Sequence, residues 1–224
     1  MSETLKDLNE YFKNLEKYKL PDYKELPQIP LYMEQVITYV KDALNPIYIN
    51  NDQIITPFMV NNYVKAKIIG SPKDKKYSTD LIAYLISISL LKGVVPMKDI
   101  AVLIDMDKKF TDNKQSLYAL FKSIQDEAIK NQAHKVKVRL DAIDKAVKKK
   151  PKKGESQKDI ENLNLIYVAL RLYTEADTAK SMADSIMSKV SKDVLPKSVL
   201  VESKKEIKYT TKKEHKEAKK IGSR

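Results

Sequence analysis

Apolar positions recur along this chain at intervals of three and four residues, and that spacing predicts helices through most of its length. Leu5, Leu8, Phe12, Leu15 and Tyr18 mark one face of an amphipathic helix within residues 1–20. Pro21, Pro27 and Pro30 then call for an extended connection. Leu31 to Leu44 reads as a second helix through Met33, Val36, Val40 and Leu44; Asn45-Pro46 stops it, and Ile47 to Ile55 reads as a loop. Thr56 is a good N-cap, and Pro57 suits the first helical position, where a missing N–H matters little. Val60, Tyr63 and Val64 form the buried stripe of this third helix, read as 57–67, which leaves Asn61, Asn62 and Lys65 on its outer face. Gly70 and Pro72 are the expected stop, and Lys73 to Tyr77 is long enough for a small β-hairpin.

Ser78 can cap a fourth helix reaching about Lys92, with Ile82, Leu85, Ile86, Ser89 and Leu90 inward and Gly93 as its terminator. Pro96 restarts a short helix through Ile100 and Ile104. From about Asn113 a long helix runs to Lys149, where Ile129, Ala133, Val136, Leu140, Ile143 and Val147 keep the alternating four-three spacing of a coiled-coil seam. Two readings stay open for that seam: a homodimer contact, or packing within the chain against a final helix over about Ser156 to Ser191. Pro151 and Gly154 separate the two helices. The expected fold class is therefore mainly all-α with a small β wing. The expected organisation is an N-terminal helix and Pro-rich connection (1–30), a winged helix-turn-helix (31–104), a long helical dimerisation or sensing region (105–192) and a basic tail (193–224).

Composition sharpens this in three places. A hydrophobic share of 42% over 224 residues supports a real core, and only four Gly agree with a helical chain. The net charge is +12, which suits nucleic acid, an anionic membrane or an acidic protein. Of the basic residues only Arg139, Arg171 and Arg224 are Arg, a bias that an AT-rich genome also produces. The charge is uneven: +4 between Thr56 and Tyr77, +8 over residues 130–153, and +6 over Ser203 to Arg224, where few apolar residues occur and a disordered or frayed segment is expected.

Catalytic chemistry finds little footing. With no Cys there is no disulfide, thiolate zinc site or cysteine nucleophile. His134 and His215 are the only histidines, and no zinc spacing, phosphate-cradling Gly loop or Ser/His/Asp arrangement occurs. Asp105, Asp107 and Asp112 do not fit an EF-hand loop and read as capping or loop residues. No enzyme, metal or cofactor is expected. The N-terminus lacks the apolar run of a signal peptide, and Leu81 to Val95 is shorter than a membrane span and contains Lys92. A cytoplasmic protein with no membrane insertion is the expectation.

Nucleic-acid chemistry concentrates between Thr56 and Tyr77. Asn bonds adenine edges in a bidentate manner, so Asn61 and Asn62 are candidate base readers. Thr56, Lys65, Lys67, Lys73, Lys75, Lys76 and the phenol of Tyr77 are candidates for phosphate contacts that set register.

The order helix, turn, helix ending in Tyr, basic wing, helix, short helix, long helix resembles the MerR-type winged helix. That pattern, roughly Ser-Pro-x-Thr-Leu-Arg-Tyr-Tyr-Glu followed by Gly-Leu-Ile, stands here as Thr56 to Val64 followed by Lys67-Ile68-Ile69. Tyr63 falls on the second family Tyr, Asn61 replaces its phosphate-contacting Arg, Asn62 its first Tyr, and Lys67 its Gly. The resemblance implies a regulator of double-stranded DNA that dimerises through the long helix, with a small-molecule effector of unknown kind. PQIPLYMEQV at Pro27 to Val36, Thr56 to Lys65 and Lys75-Lys76-Tyr77-Ser78 also resemble an uncharacterised family of low-GC Gram-positive bacteria, domain of unknown function 1836, over about residues 27–104. The alternative reading is an all-helical protein-interaction module whose basic tail meets an acidic partner or a membrane surface.

Overall fold

The larger core is built around one helix, α4 (Thr79–Leu91), which is apolar on nearly every side. Ile82, Ala83, Tyr84, Leu85, Ile86, Ile88 and Ser89 are all buried, as expected of a helix with no polar face. The computed structural model describes residues 2–48, 54–110, 114–148 and 156–194, with side chains described for all of these except 107–110, 114–117 and 191–194. Among them are seven α-helices: α1 (Glu3–Lys17), α2 (Met33–Leu44), α3 (Pro57–Lys65), α4, α5 (Met97–Phe110), α6 (Lys114–Val147) and α7 (Gln157–Val194). A two-stranded antiparallel sheet joins β1 (Leu31–Tyr32) to β2 (Lys76–Tyr77), with Leu31 opposite Tyr77 and Tyr32 opposite Lys76. The chain is mainly helical, as its periodicity predicts.

Leu31 and Tyr32 are thus not the first turn of α2, as their place in the apolar spacing suggested, but a strand ending at the helix N-cap. Around α4, the inward faces of α2 and α3 supply Val36, Val40, Leu44, Val60 and Tyr63, while Ile100 and Ile104 close the side toward α5. Leu20 and Leu26, from the Pro-bounded connection, complete this core. The connection is pinned to α6: the Leu20 amide donates to Asp126 Oδ1 at 2.8 Å, the Tyr118 hydroxyl donates to the Pro21 carbonyl at 3.1 Å, and Lys122 pairs with both Asp22 and Asp126.

A second, smaller cluster lies along the other half of α6. Leu5 of α1 packs with Val136, Leu140 and Ile143, flanked by Leu165, Val168 and Leu172 of α7. Among the described residues the four-three seam therefore packs within the chain, against α1 and α7 together. Ser2 locks this corner: its hydroxyl accepts from the Leu5 amide as N-cap and donates to Glu161 Oε1 at 2.6 Å. Glu175 bridges the two central arginines, accepting from Arg171 Nε at 2.8 Å and from Arg139 Nη2 at 3.3 Å. The boundary expected between residues 104 and 105 falls inside α5. The expected disordered tail, Ser203 to Arg224, lies outside the described residues.

Candidate nucleic-acid interface

α3 starts where local chemistry demands it. The Thr56 hydroxyl accepts from the Met59 amide at 3.2 Å, and Pro57 occupies the first helical position. Its inner face, Val60 and Tyr63, is buried against the core. Phe58, Asn61, Asn62 and Lys65 are all exposed. Their i, i+3, i+4, i+7 spacing puts them within an arc of roughly 100° of the helix surface, so they form a single outward face. Nine residues make a helix about 13 Å long, and its diameter of about 10–12 Å matches a major groove about 12 Å wide.

The helix does not run to Lys67 or stop at Gly70. It ends at Lys65, and Lys67 takes a left-handed conformation (φ 57°) as the residue beyond the cap. The Lys67 amide donates to the Val64 carbonyl at 3.0 Å, and the Ile68 amide reaches back to the Tyr63 carbonyl at 2.9 Å. Those two bonds define a Schellman ending, with buried Ile68 and Tyr63 as its accompanying apolar pair. Gly70 has no such role: a Cβ there would meet Leu81 at an ordinary 3.7 Å.

The basic segment beyond forms a tight hairpin. Lys73 and Lys76 exchange both backbone bonds, at 3.1 and 2.9 Å, and the two residues between them, Asp74 (φ 50°) and Lys75 (φ 62°), both have positive φ. This is the mirror-image I′ turn, whose preferred residues are Asn-Gly or Asp-Gly. Pairing of β2 with β1 draws the hairpin against the N-terminus of α2, and Lys76 Nζ lies 4.9 Å above the ring of exposed Tyr32.

Of the residues singled out from sequence, Asn61, Asn62, Lys65, Lys67, Lys73 and Lys75 are exposed on α3, its ending and the hairpin. The side chains of Lys65, Lys67, Lys73 and Lys75 form no ion pair with a described residue. Thr56 is half-buried, its hydroxyl engaged in the cap, and Lys76 is half-buried over Tyr32. Tyr77 requires correction: at 2% exposure it belongs to the core and is withdrawn from a phosphate's reach, and the same burial raises its phenol's pKa. Two exposed aromatic side chains were missed, Phe58 at 73% and Tyr32 at 53%. Phe58 was within reach of the sequence, since it lies off the Val60–Tyr63–Val64 stripe and one turn before Asn61 and Asn62. Behind α3, Lys92 Nζ donates to Met59 Sδ at 3.2 Å, and burial lowers that ammonium's pKa.

Residues 21–124 match the family model described as Domain of unknown function (DUF1836). The matched segment holds α2, α3, the hairpin, α4 and α5 together with the N-terminal turns of α6; α1 and α7 lie outside it. No curated protein and no solved structure matches the chain. Among the described residues no acidic or histidine cluster is placed to hold a metal ion, and no helix is long and apolar enough to cross a membrane.

Proposed function

We propose that this protein is a DNA-binding transcriptional regulator whose α3 and 73–76 hairpin act as the reading helix and wing of a MerR-like winged helix-turn-helix. The observation that carries this is where the backbone strain sits. Among the described residues three non-glycines have positive φ, all between Lys67 and Lys75, and two of them are Lys. An L-residue costs about 1–2 kcal/mol in this conformation, and glycine would relieve it. Strain of this kind clusters at functional sites, and here two of the strained residues are exposed cations in the same 56–77 stretch as the exposed row of Phe and Asn. Asn61 and Asn62 are assigned to base edges, Phe58 to a thymine methyl, and Lys65, Lys67, Lys73 and Lys75 to phosphates.

The competing basic run speaks less clearly for a partner. Lys137 pairs with Glu16 and Arg139 with Glu175, both acids outside the run, so part of the net charge over 130–153 is spent inside the chain. A pair of readers needs a second copy, and with the α6 seam filled we assign that contact to the outer row of α7. Leu163, Ile166, Leu170 and Tyr173 there are at least half exposed at three-four-three spacing. From Ile160 to Leu170 the only charged residue is Glu161, which is buried, and Arg171, before Tyr173, is paired with Glu175, so two copies of a +12 chain can meet there without lysine repulsion. Titration of a labelled duplex over a salt series tests the reading. Binding with a log–log slope of about −0.9 for each phosphate neutralised is expected. No measurable duplex binding at low salt would overturn it.

A further inference from the structure

We propose that a cleft between α4, α5 and α6 is a binding site for a small, uncharged, apolar molecule, a role independent of DNA reading. The cleft has a volume of about 230 Å³, and Ala83, Ile88, Ile100, Ile104 and Tyr118 form buried walls. Its rim is apolar too, with Leu103, Leu120 and Ile124 exposed at 41%, 57% and 61%. These are large aliphatic side chains left in water around a hole that no described side chain fills.

The polar groups at the edge of the cleft define what it accepts. The Tyr23 hydroxyl donates to Asp80 Oδ1 at 2.6 Å, the Tyr118 hydroxyl to the Pro21 carbonyl at 3.1 Å, and the Ser87 hydroxyl to the Ala83 carbonyl at 3.1 Å. Each of these three hydroxyl protons is committed within the protein. An anionic ligand would lose its hydration without a free donor to replace it, and would face the Asp80 carboxylate at the edge of the cleft. Size settles the rest. An apolar cavity of about 150 Å³ stays dry and takes benzene, so this one holds one or two rings or a short alkyl chain. A peptide helix, about 10 Å across, is too large. The cleft lies wholly within the segment matched by the DUF1836 family model.

The test is a methyl-region NMR titration of the full chain with toluene, and with benzoate as its charged counterpart. Toluene should give saturable shifts centred on Ile88, Ile100 and Ile104, and benzoate should bind roughly tenfold more weakly or worse. Ser87→Phe, which fills the cleft from a half-buried position, should abolish the saturable shifts. Leu120→Gln, on the exposed rim, should weaken toluene binding without disturbing the fold, and it decides the matter if Ser87→Phe does not fold. Uniform, non-saturating shifts, equal binding of benzoate, or undiminished binding by either folded variant would overturn the proposal.

Discussion

Lys75→Gly should make the protein more stable and a poorer binder of DNA. Lys75 is the second central residue of the 73–76 turn, exposed and held at φ 62°. A left-handed L-residue costs about 1–2 kcal/mol. Glycine removes that strain but adds about 0.5–1 kcal/mol of chain entropy to be lost on folding. The net gain is about 0.5–1 kcal/mol, and the turn becomes Asp-Gly, a favoured I′ pair. For a protein of this size that raises the melting temperature by about 1–4 °C. The substitution also deletes one phosphate-directed cation. Duplex affinity should fall alike for all sequences, with the magnitude of the salt slope reduced by about 0.9. Thermal unfolding and fluorescence anisotropy on one preparation read both effects. A lower melting temperature would refute the strain argument, and an unchanged salt slope would remove Lys75 from the interface. Lys67, at φ 57° in the Schellman ending, should behave in the same way when replaced by Gly.

Other expectations address the frame. Leu140→Ala, at a position 1% exposed in the cluster shared by α1, α6 and α7, should cost about 2–5 kcal/mol in denaturant unfolding. Glu16 joins α1 to α6 through Lys137 and, at 2.9 Å, His134; the Lys137 hydrogen bond, then the His134 one, lower its pKa. Its stabilisation is present above the ordinary carboxylate value near 4.3 and lost as pH falls through the depressed folded value. The stability gap between the natural chain and Glu16→Gln should therefore be seen at neutral pH and close in acid; a gap that persists below pH 3, roughly, contradicts the assignment. The proposed α7 contact predicts a dimer in sedimentation that Leu170→Asp, on the exposed row of α7, converts to monomer while leaving the melting temperature nearly unchanged.

Local chemistry made much of this arrangement legible before the structure. Thr56-Pro57 announces the start of α3, and the Val60–Tyr63 stripe separates its buried side from Asn61, Asn62 and Lys65. The apolar run from Leu81 onward marks a central helix. What escaped has physical reasons. β1 is only two residues long, and its partner lies 45 residues further on, beyond the range of any periodic signal. The end of α3 carries Lys67 where the usual sign is glycine, so Gly70 drew the boundary too late. Tyr77 looked like a phosphate ligand because residue type alone does not tell which face of a two-residue strand is inward. The docking of α1 on α6 follows from a choice among several amphipathic faces of similar quality, which only tertiary packing decides.

The central claim is that the exposed face of α3 reads base sequence. Selection of bound duplexes from a random-sequence pool at moderate salt, run in parallel on the natural chain and on Asn61→Ala/Asn62→Ala, tests it most directly. An enriched motif is expected for the natural chain, and for the variant a flattened motif with non-specific binding retained. A pool that stays random for both, or the same motif for both, would contradict it.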